Sequence, residues 1–192
     1  MKKSIQLLSL SVIMISTIFF IGCDKKTVSS DVTFPATYNA NLDKQVPANT
    51  GKTGAASYSI SDTIDPLSIP NMATYASQIQ SINITDIKGI VGAGAPTADT
   101  VWFDTCSISI SNADFANPPL TVSWHFTHES LTPGKEIALS NQSGEYNTLK
   151  QIFLAKNKFV VKMEAVASYD NVFIPFSVVI NNTVVASVTS ED

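Results

Sequence analysis

The sequence predicts a mainly β protein: an antiparallel β-sandwich, or a partly closed barrel, with one or two short helices. Three observations predict it. Apolar and polar residues alternate over most of the chain, the signature of strands with one face on a core. The alternating segments are short and are separated by Gly, Pro and Asn, which punctuate strands. The polar positions carry Ser, Thr and Asn more often than charges, which are only 15% of the 192 residues. With 44% hydrophobic residues, the chain can bury one substantial core and lacks the composition of a disordered segment.

Residues 32–40 and 55–63 alternate weakly and are expected as the first strands. Residues 70–79 (PNMATYASQI) have helical spacing, with Pro70 in the first turn and Ser68 near the cap. Residues 77–91 read as a strand, and 92–99 (GAGAPTAD) as a loop broken by Gly and Pro. In the strand at 100–111, strict alternation puts Val101, Phe103, Thr105 and Ser107 on one face. Trp102, Asp104, Cys106, Ile108 and Ile110 then share the other. Further strands are expected at 119–127 and, more weakly, at 135–140.

Residues 143–156 have helical period, with Tyr146, Leu149, Ile152 and Phe153 on one face. Ser143 suits the N-cap, and Lys156, Asn157 and Lys158 suit the C-terminal end. The C-terminal part reads as a meander. A strand at 158–168 leads through a turn at Tyr169-Asp170-Asn171 to a second strand at 172–180, where Pro175 marks a sheet edge or bulge. Asn181-Asn182 fits a two-residue hairpin, because Asn tolerates positive φ, and 183–188 returns as the third strand.

The first 26 residues follow a different logic. Lys2 and Lys3 precede an apolar run from Leu7 to Ile21, too short to span a bilayer and suited to a signal peptide. The run ends at Phe20-Ile21-Gly22-Cys23 and gives way at once to Asp24-Lys25-Lys26. This ending resembles the lipobox of bacterial lipoproteins, with Phe20 where leucine is commonest. The resemblance implies that the Cys23 thiol accepts a diacylglyceryl group, that a peptidase cuts before Cys23, and that acyl chains such as palmitate anchor the new N-terminus. Two or three chains hold a protein where one is marginal, each buried methylene contributing about 0.8 kcal/mol. Residues 1–22 are then a removed signal, 23–31 a lipidated N-terminus and polar tether, and 32–192 a single β-rich domain. The implied location is the bacterial cell envelope, the outer membrane foremost, with the exposed face left open. Asp62-Thr63-Ile64 and Asp99-Thr100-Val101 resemble a three-residue O-glycosylation signal of some bacteria that display many lipoproteins.

Charge and motif content narrow the chemistry. The net charge is −4, and without residues 1–22 the 12 basic residues fall to 10 against 16 acidic ones, giving −6. There is no arginine, which speaks against nucleic-acid binding and bidentate phosphate recognition. Gly51-Lys52-Thr53 is not a phosphate loop, because Val46 stands where the first Gly belongs, and Gly92-x-Gly94 has Thr97 in place of a third Gly. His125 and His128 are the only histidines. Three residues apart on a strand they face opposite ways, so a shared metal needs a bulge and a third ligand such as Glu129. His125 is expected to face solvent and His128 to sit in a turn. No Gly-x-Ser-x-Gly elbow occurs. Asp62 with Asp65, and Asp99 with Asp104, read as turn-forming and surface groups. With Cys23 lipidated, Cys106 has no partner and is expected as a small inert hydrophobe beside Trp102 and Ile108.

The expectation is therefore a lipid-anchored, non-enzymatic module that binds a protein, glycan or envelope component, without metal or cofactor. Its contact surfaces are expected in the loops at 41–54 and 92–99. The alternative is a carrier or chaperone for an apolar ligand, with aromatics such as Phe34, Tyr38, Tyr58, Trp124, Phe153 and Phe176 lining a cavity. A hydrolase ranks third.

Overall fold

Val, Ile, Thr and Phe at every second position hold the backbone extended, since β-branched and aromatic side chains suit a pleated, half-buried surface. In a computed structural model, which describes residues 27–46, 56–95, 101–112, 114–169 and 171–191, these segments become ten strands. They are β1 (Thr27–Asn41), β2 (Lys44–Gln45), β3 (Ala56–Ile64), β4 (Ile79–Val91), β5 (Trp102–Ser111), β6 (Thr121–Ser130), β7 (Glu136–Ala138), β8 (Phe159–Ala167), β9 (Phe173–Ile174) and β10 (Phe176–Glu191). Two short helices, α1 (Pro70–Thr74) and α2 (Glu145–Leu154), and a 3-10 turn at Pro66–Ser68 complete the described elements. Cys23, Gly51-Lys52-Thr53 and Asp99-Thr100 lie outside the described residues. Residues 31–187 form one compact unit. Residues 1–30 and 188–192 form a second, of which only 27–30 and 188–191 are described.

One sheet has the order β1-β10-β4-β7 and the other β3-β8-β5-β6, with β2 and β9 as a separate ribbon. Pairing is antiparallel for β10–β4, β4–β7, β3–β8, β8–β5 and β5–β6. Of the longer strands, only β5 and β6 are consecutive in the chain and adjacent in a sheet. Every other consecutive pair crosses between sheets, and the first and last strands lie side by side. That connectivity is a jelly roll, two Greek keys wrapped into a sandwich. The antiparallel sandwich expected from the sequence is what forms, and among the described strands neither sheet closes into a barrel.

The core lies between the sheets. Phe159, Val161 and Met163 of β8 and Phe176, Val178 and Ile180 of β10 belong to one buried cluster, all essentially inaccessible to solvent. Helix α2 packs on β4 of one sheet and β6 of the other, closing the gap between them with Leu149, Ile152 and Phe153, all buried. The expected helix face is therefore the one used. Its cap is not Ser143 but Gly144, whose φ of 91° admits no side chain without strain. The Ser143 backbone N–H instead donates to Glu145 Oε2 at 2.8 Å, and Asn141 Oδ1 accepts from the Tyr146 N–H at 3.1 Å. Helix α1 is half the expected length. The β4–β10 ladder claims the chain from Ile79, which pairs with Ala186, and the Ser187 N–H already donates to Gln78 O at 2.9 Å.

Two local expectations are overturned by irregular pairing. Asn181-Asn182 is not a hairpin, because β10 runs straight through it and stays paired with β4 on both sides. β-Branched residues flank the pair and carry the ladder onward. The irregularity falls on β4, where Thr85 is the extra residue between the partners of Asn181 and Asn182 and donates through Oγ1 to Asn181 O at 2.9 Å. Asn182 points into the core, and its Nδ2 donates to Ala36 O at 3.3 Å. Strict alternation also fails in β5, where the register with β8 shifts between Phe103 and Thr105. Phe103 therefore shares the buried face with Cys106, Ile108 and Ile110, while Trp102 is half-buried and donates through Nε1 to Asp104 Oδ1 at 2.7 Å. Pro175 does mark a break, since it separates β9 from β10.

Gly89 of β4 lies directly against the Phe176 ring, and a Cβ there would collide with the ring edge. Gly89→Ala is expected to destabilise the fold by about 1–3 kcal/mol through overpacking. A urea midpoint equal to that of the unaltered chain would show that Phe176 yields without cost.

Candidate binding face

The alternation that buries one side of β3, β5, β6 and β8 dictates what the other side presents. Facing outward, β3 carries Ser57, Ser59, Ser61 and Thr63, and β5 carries Thr105, Ser107, Ser109 and Ser111. β6 adds Thr121, Ser123, His125 and Thr127, and β8, between β3 and β5, adds Val160, Lys162, Glu164 and Val166. The register aligns these into four rows across the sheet. One row reads Ser57, Val166, Thr105, Thr127, and the next reads Ser59, Glu164, Ser107, His125. Eleven of the sixteen outward positions are Ser or Thr.

These first two rows line an open concavity of about 610 Å³, with the row of Tyr58, Ala165, Cys106 and Phe126 beneath it. The face is nearly neutral, because Lys162 closes on its strand neighbour Glu164 at 2.6 Å. Cys106 is buried at 3% exposure, and its thiol is pushed up to about 12, first by desolvation and then by the Glu129 carboxylate. It is a small core residue, as the sequence implied, although its expected neighbour Trp102 faces away. The row His125–Ser107–Glu164 is not a nucleophile relay. A serine nucleophile needs the imidazole between hydroxyl and carboxylate, whereas here the serine lies between them and Glu164 is engaged by Lys162.

The sequence expected His128 in a turn, but it lies within β6 at φ 57°, its ring against Trp102 at a centroid distance of 5.2 Å. The kink required for a shared metal thus exists, but it turns His128 onto an aromatic ring. Among the described residues no three His, Cys, Asp or Glu side chains group as metal ligands. Asp62 accepts from the Asn41 N–H at 2.8 Å, and Asp65 caps the 3-10 turn at Pro66–Ser68 by accepting from the Leu67 N–H at 3.0 Å. Thr63, in the first glycosylation-like triplet, is exposed on the outer face, and Val101 of the second is buried.

The described part of the 41–54 loop is largely structural. Leu42 and Val46 are buried, and Asp43 Oδ1 accepts from the Phe176 N–H at 2.9 Å. Phe173, another of the aromatics considered for a ligand cavity, pairs with Gln45 in the β2–β9 ribbon and is exposed, as is Tyr169 of the expected turn. Several rings considered for a ligand cavity pack within the core instead: Tyr38 lies 5.2 Å from Phe153 and 5.4 Å from Phe159, and Phe176 lies 6.1 Å from the core ring of Phe103. The hydroxyl grid was missed, although SYSIS, TCSISIS and TVSWHFT each carry its i, i+2 signal.

No protein-family model matches the chain, and no curated protein matches it. Among solved structures it is similar to the decameric BFDV capsid protein, at 11% identity over 84% of this chain and 99% of that one, with a TM-score of 0.38. It is likewise similar to the Macrobrachium rosenbergii nodavirus particle, at 9% identity over 86% and 97% with a TM-score of 0.38. Turnip yellow mosaic virus follows at 9% identity over 85% and 84%, with a TM-score of 0.31. Likeness at this level carries no inference about what this chain does.

Proposed function

We propose that the chain is a lipid-anchored, non-enzymatic binding module of the bacterial cell envelope, held to the membrane through acylated Cys23. The observation that carries the binding role is the open concavity on the solvent face of the β3-β8-β5-β6 sheet. It is built on strands of one rigid sheet, a more exact support than a loop, and its side chains are in no order that activates a nucleophile. Asp24-Lys25-Lys26 then stand between the lipid and β1, which begins at Thr27.

Cys23→Ala is expected to move the chain from the membrane pellet to the soluble fraction and to abolish palmitate incorporation. Protease added to intact cells then assigns the face: cleavage places the module on the cell surface, and protection until the outer membrane is opened places it in the periplasm. A Cys23→Ala chain that stays in the pellet would overturn the anchor.

A further inference from the structure

We infer that the hydroxyl grid of the β3-β8-β5-β6 sheet is a binding site for a neutral glycan chain, seated in the concavity between the Ser57 and Ser59 rows. The inference rests on the reading of the chain as a binding module and names its ligand class.

Charge decides first. The only full charges among the sixteen outward positions are Lys162 and Glu164, and they neutralise one another at 2.6 Å. An anionic ligand finds no unpaired lysine or arginine among these positions. A cation finds no unpaired carboxylate. The complementary ligand is uncharged.

Hydrogen-bonding chemistry decides next. Each Ser or Thr hydroxyl is at once a donor and an acceptor and rotates to suit its partner. A sugar hydroxyl has the same dual character, so a polyol matches the grid in whichever orientation it lies. Among the described residues the hydroxyls of Ser59, Thr105, Ser107 and Thr127 have no protein partner, so they are available to a ligand. The Val166 methyls and the threonine methyl groups give the C–H faces of sugar rings a surface to rest on.

Shape decides last. A concavity of about 610 Å³ lies within the range of small-ligand sites and takes roughly two or three sugar units. A second copy of the sheet is a poor occupant, because face-to-face sheets interdigitate apolar side chains. An ice-like water lattice is no better, because strands rotated by roughly 20–25° to one another present no flat repeat.

The test uses the full chain purified in detergent, with neutral glucan, mannan and N-acetylhexosamine oligosaccharides as probes and heparin and alginate as anionic ones. Binding to at least one neutral series is expected, unaltered by added salt. Ser107→Arg, in the middle of the concavity, is expected to weaken it by about tenfold or more. Ser123→Arg, on the same face but outside the concavity, is expected to change it by less than about threefold. Ser107 and Ser123 both lie on the outward face, and thermal melts coincident with the unaltered chain show that the fold is kept. Preference for heparin or alginate, or full binding by the Ser107→Arg chain, overturns the inference. Absence of all glycan binding in a chain that still incorporates palmitate at Cys23 overturns the ligand and leaves the anchored module standing. Release of reducing ends from any probe overturns the non-enzymatic reading instead.

Discussion

Phe153→Ala is expected to cost about 3–5 kcal/mol of folding stability, a large share of the roughly 5–15 kcal/mol that a domain possesses. Phe153 comes from α2 and has no solvent exposure. Its ring lies 5.2 Å from Tyr38 of β1 and 5.0 Å from Phe159 of β8, so one side chain ties the helix to both sheets. Truncation forfeits its buried area and leaves a cavity that two sheets and a helix cannot jointly collapse. At about 2–4 °C per kcal/mol for a domain of this size, the melting temperature should fall by about 6–20 °C. Tyr169→Ala, at a site 48% exposed, should stay within about 0.5 kcal/mol. A Phe153→Ala loss below about 1 kcal/mol in urea unfolding would mean that α2 is not the clasp described here.

The second large effect is alkaline unfolding. Three acids are held protonated by the native core: Cys106, pushed up to about 12, and Tyr38 and Tyr58, both raised by desolvation, with Cys106 adding to the rise at Tyr58. In the unfolded chain a thiol ionises near pH 8.5 and a phenol near 10. Once pH exceeds those values the unfolded state has lost protons that the native state keeps, so stability falls as pH rises. Below pH 8.5 none of the three contributes a slope. Between about 8.5 and 10 Cys106 alone acts, at up to about 1.4 kcal/mol per pH unit, and above 10 the tyrosines add up to the same again each. Urea midpoints should therefore hold steady from pH 7 to 8.5 and then drop with increasing steepness. Neither phenol has a hydrogen-bond partner among the described residues. Tyr38→Phe with Tyr58→Phe should thus flatten the decline above pH 10 and leave neutral-pH stability equal or higher. An unchanged decline in that double variant would place the alkaline sensitivity elsewhere.

What the sequence disclosed follows the range of the forces involved. Alternation is local, and it located β3, β4, β5, β6 and β8 to within a few residues. The helix face of Leu149, Ile152 and Phe153 is equally local. The assignment of strands to sheets is not, because neighbours such as β10 and β4 lie far apart in the chain. Register irregularities are also cooperative. The extra residue in β4 is Thr85 because of how β10 pairs, and nothing in INITDI announces it. Asn181-Asn182 misled for the same reason: its local turn propensity is real, but eleven residues of pairing with β4 outweigh it. The hydroxyl grid was half legible. β3, β5 and β6 each show their own Ser/Thr alternation, but only the β3-β8-β5-β6 order turns these three separate stripes into one surface.

The jelly-roll order also sets a timetable for synthesis. In its sheet β1 neighbours only β10, and Thr37 Oγ1 of β1 donates to Asn181 Oδ1 at 2.9 Å across a gap of 144 residues. Strand β1 leaves the ribosome among the first of the domain and waits for nearly the last. Until β10 arrives, the ladder groups β1 turns toward it have only solvent to bind, and Tyr38 has no finished core to enter. Among the described strands, only the β5–β6 pair can form early from neighbouring chain. Such a high separation of contacts slows folding, and here it defers completion until β10 is present. A chain stalled before residue 176 lacks the central strand of its first sheet and presents an open edge to every other such chain nearby.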